Sequence, residues 1–316
     1  MSTISKNHIE LTQTTLREPI SFVGVGLHSG SKVSMTLRPA AENTGAVFVR
    51  KDAPSGQGEV PAIWYNVFET HMSTAITNEY GYSVNTIEHL MAAFRGCGID
   101  NVVIELDGPE VPILDGSALP YCTIIESAGK QIQNSPRRAI WIRKPITVHK
   151  GDKYAILVPD DRSRITVEID FPGTMIGQQK RSIDLVNGSF ARELAGARTF
   201  GFANDVESML ESGLALGGSL RNAILVDGDH VVNPEGLRFA DEFVRHKILD
   251  CLGDLSLVGM PIFGHYLSHK PGHDLNNSLI RKLYTERESW KYVTVEEFLY
   301  LSAEQKPSLK SASQDG

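Results

Sequence analysis

"KQIQNSPRRA", residues 130–139, is mostly polar, carries Pro136, and divides the chain into two parts of similar internal order. Upstream, residues 21–50 alternate apolar and polar positions between glycines in "FVGVGLHSG", "KVSMTLRPA" and "GAVFVRK", the pattern of strands and turns. "SVNTIEHLMAAFRGCG" (83–98) then sets Ile87, Leu90, Met91 and Phe94 at helical spacing and ends in glycine. "NVVIEL" and "VPILD" read as further strands, and "LPYCTIIESAG" as a second apolar-periodic segment. Downstream the order begins again, with strands in "AIWIRKPITVHKGDKYAILVPDD" and "RITVEIDFP" and helical patterns near 189–196, 205–213, 238–254 and 275–288. Strands followed by helices in both halves predict an α+β fold of two similarly built domains, each a sheet layered with helices. The expected limits are residues 1–136 and 137–303, with a polar tail at 304–316. Self-similarity between the halves is too weak to make a repeat.

A chain of 316 residues with 41% apolar and 22% charged residues is a globular protein long enough for two cores. It has no run of eighteen apolar residues, so no membrane span is expected, and its polar start shows no secretory signal. The net charge of −7 argues against nucleic acid as a partner, because counterion release needs a basic surface. Cys97, Cys122 and Cys251 are far apart in sequence and odd in number, which favours reduced thiols and a cytoplasmic setting. "GVGLHSG" misses the dinucleotide-binding glycine spacing and no long helix follows it. The basic pair Arg137–Arg138 beside the boundary is assigned no role.

Three segments can carry chemistry. In "NTIEHL" the apolar stripe leaves His89 pointing away, yet its neighbours one turn on are Ala92 and Ala93, small residues that let something pack there. "EFVRHKILDCLGDL" (242–255) sets Val244, Ile248, Leu252 and Leu255 on one side and His246, Asp250 and Asp254 on the other. Taken singly, that polar column favours a solvated face. His and Asp at i and i+4 can also grip one ion, and with His89 they make two imidazoles and a carboxylate, a catalytic zinc set with one position open. Glu88, beside a ligand but not one, is then placed as general base. "SHKPGHDLNN" (268–277) puts His269, Lys270 and His273 on a turn before a helix, and Asp254 could orient and charge such an imidazole.

"GVGLHSG", "NTIEHLMAA", "GIDNVVIELDGPEVPILDGSA", "ARTFGF", "DEFVRHKILDCLGDL" and "GHDLNN" occur in this order over roughly residues 18–300. Together they resemble the UDP-3-O-acyl-N-acetylglucosamine deacetylases, zinc amidases of lipid A synthesis in Gram-negative bacteria. The resemblance implies an active site between the two domains, with His89, His246 and Asp250 as metal ligands and Glu88 as general base. His273, paired with Asp254, would be the cationic partner or general acid. Thr199 would help bind the oxyanion, Lys247 the polar end of the substrate, and Phe200 and Phe202 would line the site. Lys270 joins Lys247 as a cation for the diphosphate. An insert within 202–229 would form an apolar passage for the acyl chain, and Met209, Leu210, Leu214, Leu216 and Leu220 suit either its wall or a small core. Zinc is the expected metal, ferrous iron suits the same ligands, and a monomer is the expected state. Glu242 keeps the solvated assignment, and His71 in "ETHMST" has none. The rival readings are an amidohydrolase for another N-acyl sugar and a non-catalytic metal-binding module.

Overall fold

The computed structural model describes residues 10–186 and 188–304. The expected tail lies outside the described residues from position 305 onward. Seven helices occur among the described residues: α1 Glu88–Cys97, α2 Leu119–Ala128, α3 Ser189–Glu193, α4 Ala203–Glu211, α5 Glu242–Leu255, α6 His273–Thr285 and α7 Val295–Glu304. None is long and apolar enough to cross a membrane.

The first large sheet has five strands in the order Ile20–Val25, Lys32–Pro39, Val102–Leu106, Ala46–Arg50 and Glu59–Pro61. Alternation fixes its inner face: Val33, Met35 and Leu37 are buried along one strand while Lys32, Ser34 and Arg38 are exposed. The second large sheet has seven strands, all from residues 138–294, and is centred on Ile262–His269. That strand runs antiparallel to Lys153–Val158 and parallel to both Arg138–Ile142 and Ser163–Phe171. A mixed α+β architecture results, as the strand and helix patterns predicted.

Two expectations change. "KQIQNSPRRA" is not a linker, because Lys130–Pro136 is a strand paired antiparallel with Thr12–Leu16. Its polarity is that of an outer strand, since Lys130, Gln131, Ile132, Asn134 and Pro136 are all exposed while Thr14, Thr15 and Leu16 beneath are buried. "VPILD" is not a strand either. It makes one isolated bridge, Pro112 to Gly26, because proline brings no amide to a ladder and Leu114 turns the chain at φ 54°.

The helices that matter most are α1 and α5. Helix α1 ends where Gly98 takes φ 74°, and the Ile99 amide bonds back to the Phe94 carbonyl. Helix α5 carries Gly253 in its last turns, a choice that weakens a helix by roughly 1 kcal/mol relative to alanine. The reason is contact, for a β-carbon at Gly253 would stand 2.1 Å from the Glu88 carbonyl oxygen. The two helices therefore touch backbone to backbone at the first residue of α1. Ala92 and Ala93 are fully buried, which accounts for the small residues around His89. Gly253→Ala is expected to destabilise the protein by about 1–3 kcal/mol through overpacking, read as a lower urea midpoint. Affinity for a metal at the expected ligands His89, His246 and Asp250 should fall with it, because these residues stand on the two helices; unchanged stability and affinity would mean the crossing tolerates a methyl group.

Candidate metal centre and catalytic site

The α1–α5 crossing brings His89, His246 and Asp250 together, all three buried, with one ligand atom from each within 4.8 Å of the others. The polar column of α5 is thus no solvated face. Asp250 Oδ1 lies 3.2 Å from His246 Nε2 and 3.5 Å from His89 Nε2. Bonds of about 2.0–2.2 Å at tetrahedral angles set donor atoms roughly 3.3–3.5 Å apart, so these separations fit a small cation. Asp250 Oδ1 is also buried without a hydrogen-bond partner, as suits an oxygen that ligates a metal. Burial lowers the His89 pKa and favours the neutral, ligating imidazole. Burial would raise the Asp250 carboxyl, but His246 and Lys247 outweigh it and hold it well below the usual range. His246 Nδ1 meets the Ala197 carbonyl at 3.0 Å, which assigns its proton to that nitrogen and leaves Nε2 free to ligate.

Beside these three residues stands a buried carboxylate–imidazole pair. Glu88 Oε2 accepts the Thr74 amide at 3.1 Å, and Oε1 lies 3.8 Å from His273 Nε2. Burial pushes the Glu88 carboxyl up to about 7, against the opposing pull of His273. His273 Nδ1 is 2.9 Å from Asp254 Oδ2. Asp254 also accepts from Thr74 Oγ1 at 2.5 Å and from Asn276 Nδ2 at 2.8 Å, so both oxygens of this buried carboxyl group have partners. Burial alone would lower the His273 imidazole, yet Asp254 and Glu88 outweigh it and raise the pKa to about 9.

Lys247 Nζ is 3.0 Å from Asp250 Oδ2 and 5.5 Å from the Phe200 ring centre, at the edge of the ligand set. Phe200 and Phe202 stand against Phe171, with ring centres 5.7 and 5.5 Å away. Thr199 is half-buried, and its amide bonds to the Gly116 carbonyl at 2.8 Å. Lys270 is less free than expected, because Asp152 and Asp170 hold its Nζ at 2.7 and 3.3 Å. In the insert, Met209 and Leu214 are half-buried, whereas Leu210, Leu216 and Leu220 are exposed, and α4 has no buried residue. The small-core reading fails there. The segment instead docks by backbone on the "GLHSG" turn, Leu216 to the His28 carbonyl and Gly217 to the Leu27 carbonyl.

Glu242 needs correction. It is fully buried and accepts Arg198 Nε at 2.9 Å, the Arg198 amide at 3.0 Å and the Arg238 amide at 2.5 Å. This pair ties the segment bearing Ala197 and Thr199 to the start of α5. Its sequence signal was the arginine inside "ARTFGF", but nothing local names a partner 44 positions away. Thr74 lies three residues beyond the unassigned His71, which is itself exposed. Asn276 was legible as the residue at i+3 from His273 on one helix face. Cys97 and Cys122, distant in sequence, hydrogen-bond side chain to side chain.

Two histidines packed edge to face and an aspartate, buried together next to a carboxylate–imidazole pair, are the arrangement of a metal-dependent hydrolase. Comparison with known proteins narrows this. The model of the family described as UDP-3-O-acyl N-acetylglycosamine deacetylase matches residues 13–285. The UDP-3-O-acyl-N-acetylglucosamine deacetylase of Vibrio parahaemolyticus is 45% identical over 289 residues, covering 91% of this chain and 94% of that protein. The Myxococcus xanthus enzyme of the same name is 49% identical over 281 residues, covering 89% of each. The Shewanella pealeana enzyme is 46% identical over 286 residues, covering 90% and 93%. The chain belongs to this deacetylase family.

Removing Glu242 leaves Arg198 buried without its main partner. Glu242→Ala should cost about 3–5 kcal/mol of unfolding free energy in urea; a loss under about 1 kcal/mol would show that Glu235, whose Oε1 lies 2.7 Å from Arg198 Nη1, alone suffices. The proton on His273 is held below pH about 9 and lost above it, so turnover should decline as pH rises through that value. Asp254→Asn removes the strongest raising charge and should move this alkaline limb down toward 6.5, leaving Glu88 and Asp250 as the carboxylates facing the ring.

Proposed function

We propose that the chain hydrolyses the N-acetyl group of UDP-3-O-(3-hydroxyacyl)-N-acetylglucosamine to acetate and a free amine, the committed step of lipid A synthesis. The observation that carries this is the unpartnered Asp250 Oδ1 between two imidazole nitrogens, facing Glu88 and His273. His89, His246 and Asp250 would hold the metal, zinc or ferrous iron. A metal held there would supply Lewis acidity for the acetyl carbonyl and for water.

The chain's own groups divide the remaining work. Thr74 occupies Glu88 Oε2, so Oε1 is left to take a proton from the attacking water. As the water oxygen bonds to the acetyl carbon, the Thr199 hydroxyl and the His273 cation stabilise the negative charge on the carbonyl oxygen. When the carbon–nitrogen bond breaks, His273 gives its Nε2 proton to the departing amine, its Nδ1 side being held by Asp254. Lys247 takes the diphosphate end of the substrate, while Lys270 must first exchange its own carboxylates. Phe200 and Phe202 line the sugar-nucleotide side. Because α4 and residues 214–220 bury no core of their own, their apolar side chains are available to an acyl chain. A monomeric, cytoplasmic enzyme remains part of this reading.

Glu88→Gln should lower turnover by about 10²–10⁴ with the metal still bound; loss of metal instead would make Glu88 a ligand. A mass-spectrometric assay across acyl lengths, with chelator and metal add-back, tests the substrate. Acylated UDP-N-acetylglucosamine should be turned over and the unacylated form poorly, with Leu214→Asp narrowing that difference. Equal turnover of both would favour another N-acyl sugar.

A further inference from the structure

At the far ends of α5 and α6 the two halves of the chain leave an open groove of about 940 Å³. It is separate from the metal centre. His273 opens α6 at the catalytic site, whereas Tyr284 near the other end of that helix lines the groove. Eleven residues of helix put roughly 16 Å between them. The groove falls within the range of volumes that enclose small ligands, roughly 300–1,000 Å³.

Its chemistry departs from that of the molecule. The net charge of the chain is −7, yet the charged residues lining the groove are Arg137, Arg138, Arg281 and Arg287 against Asp100 alone. Arg137 is matched to Asp100 at 2.8 Å. Among the described residues the other three arginines have no carboxylate partner, so three positive charges face the groove unbalanced. Arg281 is preset by a bond to the Val67 carbonyl at 3.1 Å and lies 5.7 Å from the Trp64 ring centre. Arg287 lies 4.8 Å from Trp290 and 6.0 Å from Tyr292. Aromatic walls complete the groove. Trp64 and Tyr284 stack at 4.8 Å and 16°, and Tyr65 and Tyr292 stand 59% and 50% exposed.

Arginine forks match phosphate oxygens two at a time, and tyrosine and tryptophan faces take a planar base. From this charge complementarity and these walls we propose that the groove binds a nucleoside polyphosphate, at a site distinct from the one that takes the nucleotide-sugar substrate. The phosphates lie along Arg138, Arg281 and Arg287, and the base lies against Tyr65 or Tyr292.

The test is titration of the full-length, metal-loaded protein with ATP and with GTP, by calorimetry and by tryptophan fluorescence, which Trp64 reports from within the groove. Inorganic triphosphate and a short polyglutamate peptide are the comparison ligands. At least one nucleotide should bind with Kd below about 1 mM. Arg281→Ala/Arg287→Ala should weaken it by about tenfold or more, and so should the single Arg138→Glu, with deacetylation unchanged. Lys247→Ala, at the substrate site, should leave it intact. No binding at millimolar nucleotide overturns the proposal. So does equal affinity for inorganic triphosphate, binding of the peptide alone, or loss of binding in Lys247→Ala with the arginine variants unaffected.

Discussion

The candidate metal centre depends on how closely α1 and α5 approach. Their contact is backbone against backbone, with Gly253 lying where any side chain would strike the Glu88 carbonyl. That approach sets Asp250 between His89 and His246 and holds Asp254 within reach of Thr74, His273 and Asn276. Glycine near the end of a fourteen-residue helix is a local weakness accepted for a tertiary purpose. The ligands and the acid–base groups are therefore placed by one packing decision.

Around that crossing, buried charge is organised in pairs so that little of it is stranded. Arg198 and Glu242 bind the "ARTFGF" segment to the head of α5, and the same segment supplies the carbonyl that orients His246. Asp254 is satisfied on both oxygens and in turn keeps His273 cationic. Glu88 has one oxygen fixed and the other free. Within the candidate site, Asp250 Oδ1 and His89 Nδ1 are buried without a hydrogen-bond partner, and the first stands where the fold calls for a cation.

Much of this was legible in the sequence because it follows from short-range geometry. Helical spacing at Ile87, Leu90, Met91 and Phe94 located α1, and the i,i+4 relation of His246 and Asp250 put them on one face. The alanines after His89 signalled a close neighbour but could not name it. Illegible features were those fixed by long-range contact. Glu242 looks solvated until Arg198 is brought from 44 residues away, and Thr74 acquires meaning only against Asp254, 180 residues on. "KQIQNSPRRA" misled for another reason, since an outer strand and a linker share the same polar composition. The acyl-passage question needed exposure, which periodicity does not report.

The central claim is that His89, His246 and Asp250 form a metal site open to substrate. X-ray absorption at the zinc edge of the loaded protein tests it most directly. The account predicts one zinc per chain with two imidazole nitrogens and a carboxylate oxygen at about 2.0–2.2 Å, and an exchangeable light-atom ligand completing the shell. That spectrum should disappear in His89→Ala and in Asp250→Ala. A sulfur ligand, a fourth protein ligand, or the same spectrum in those variants would contradict it.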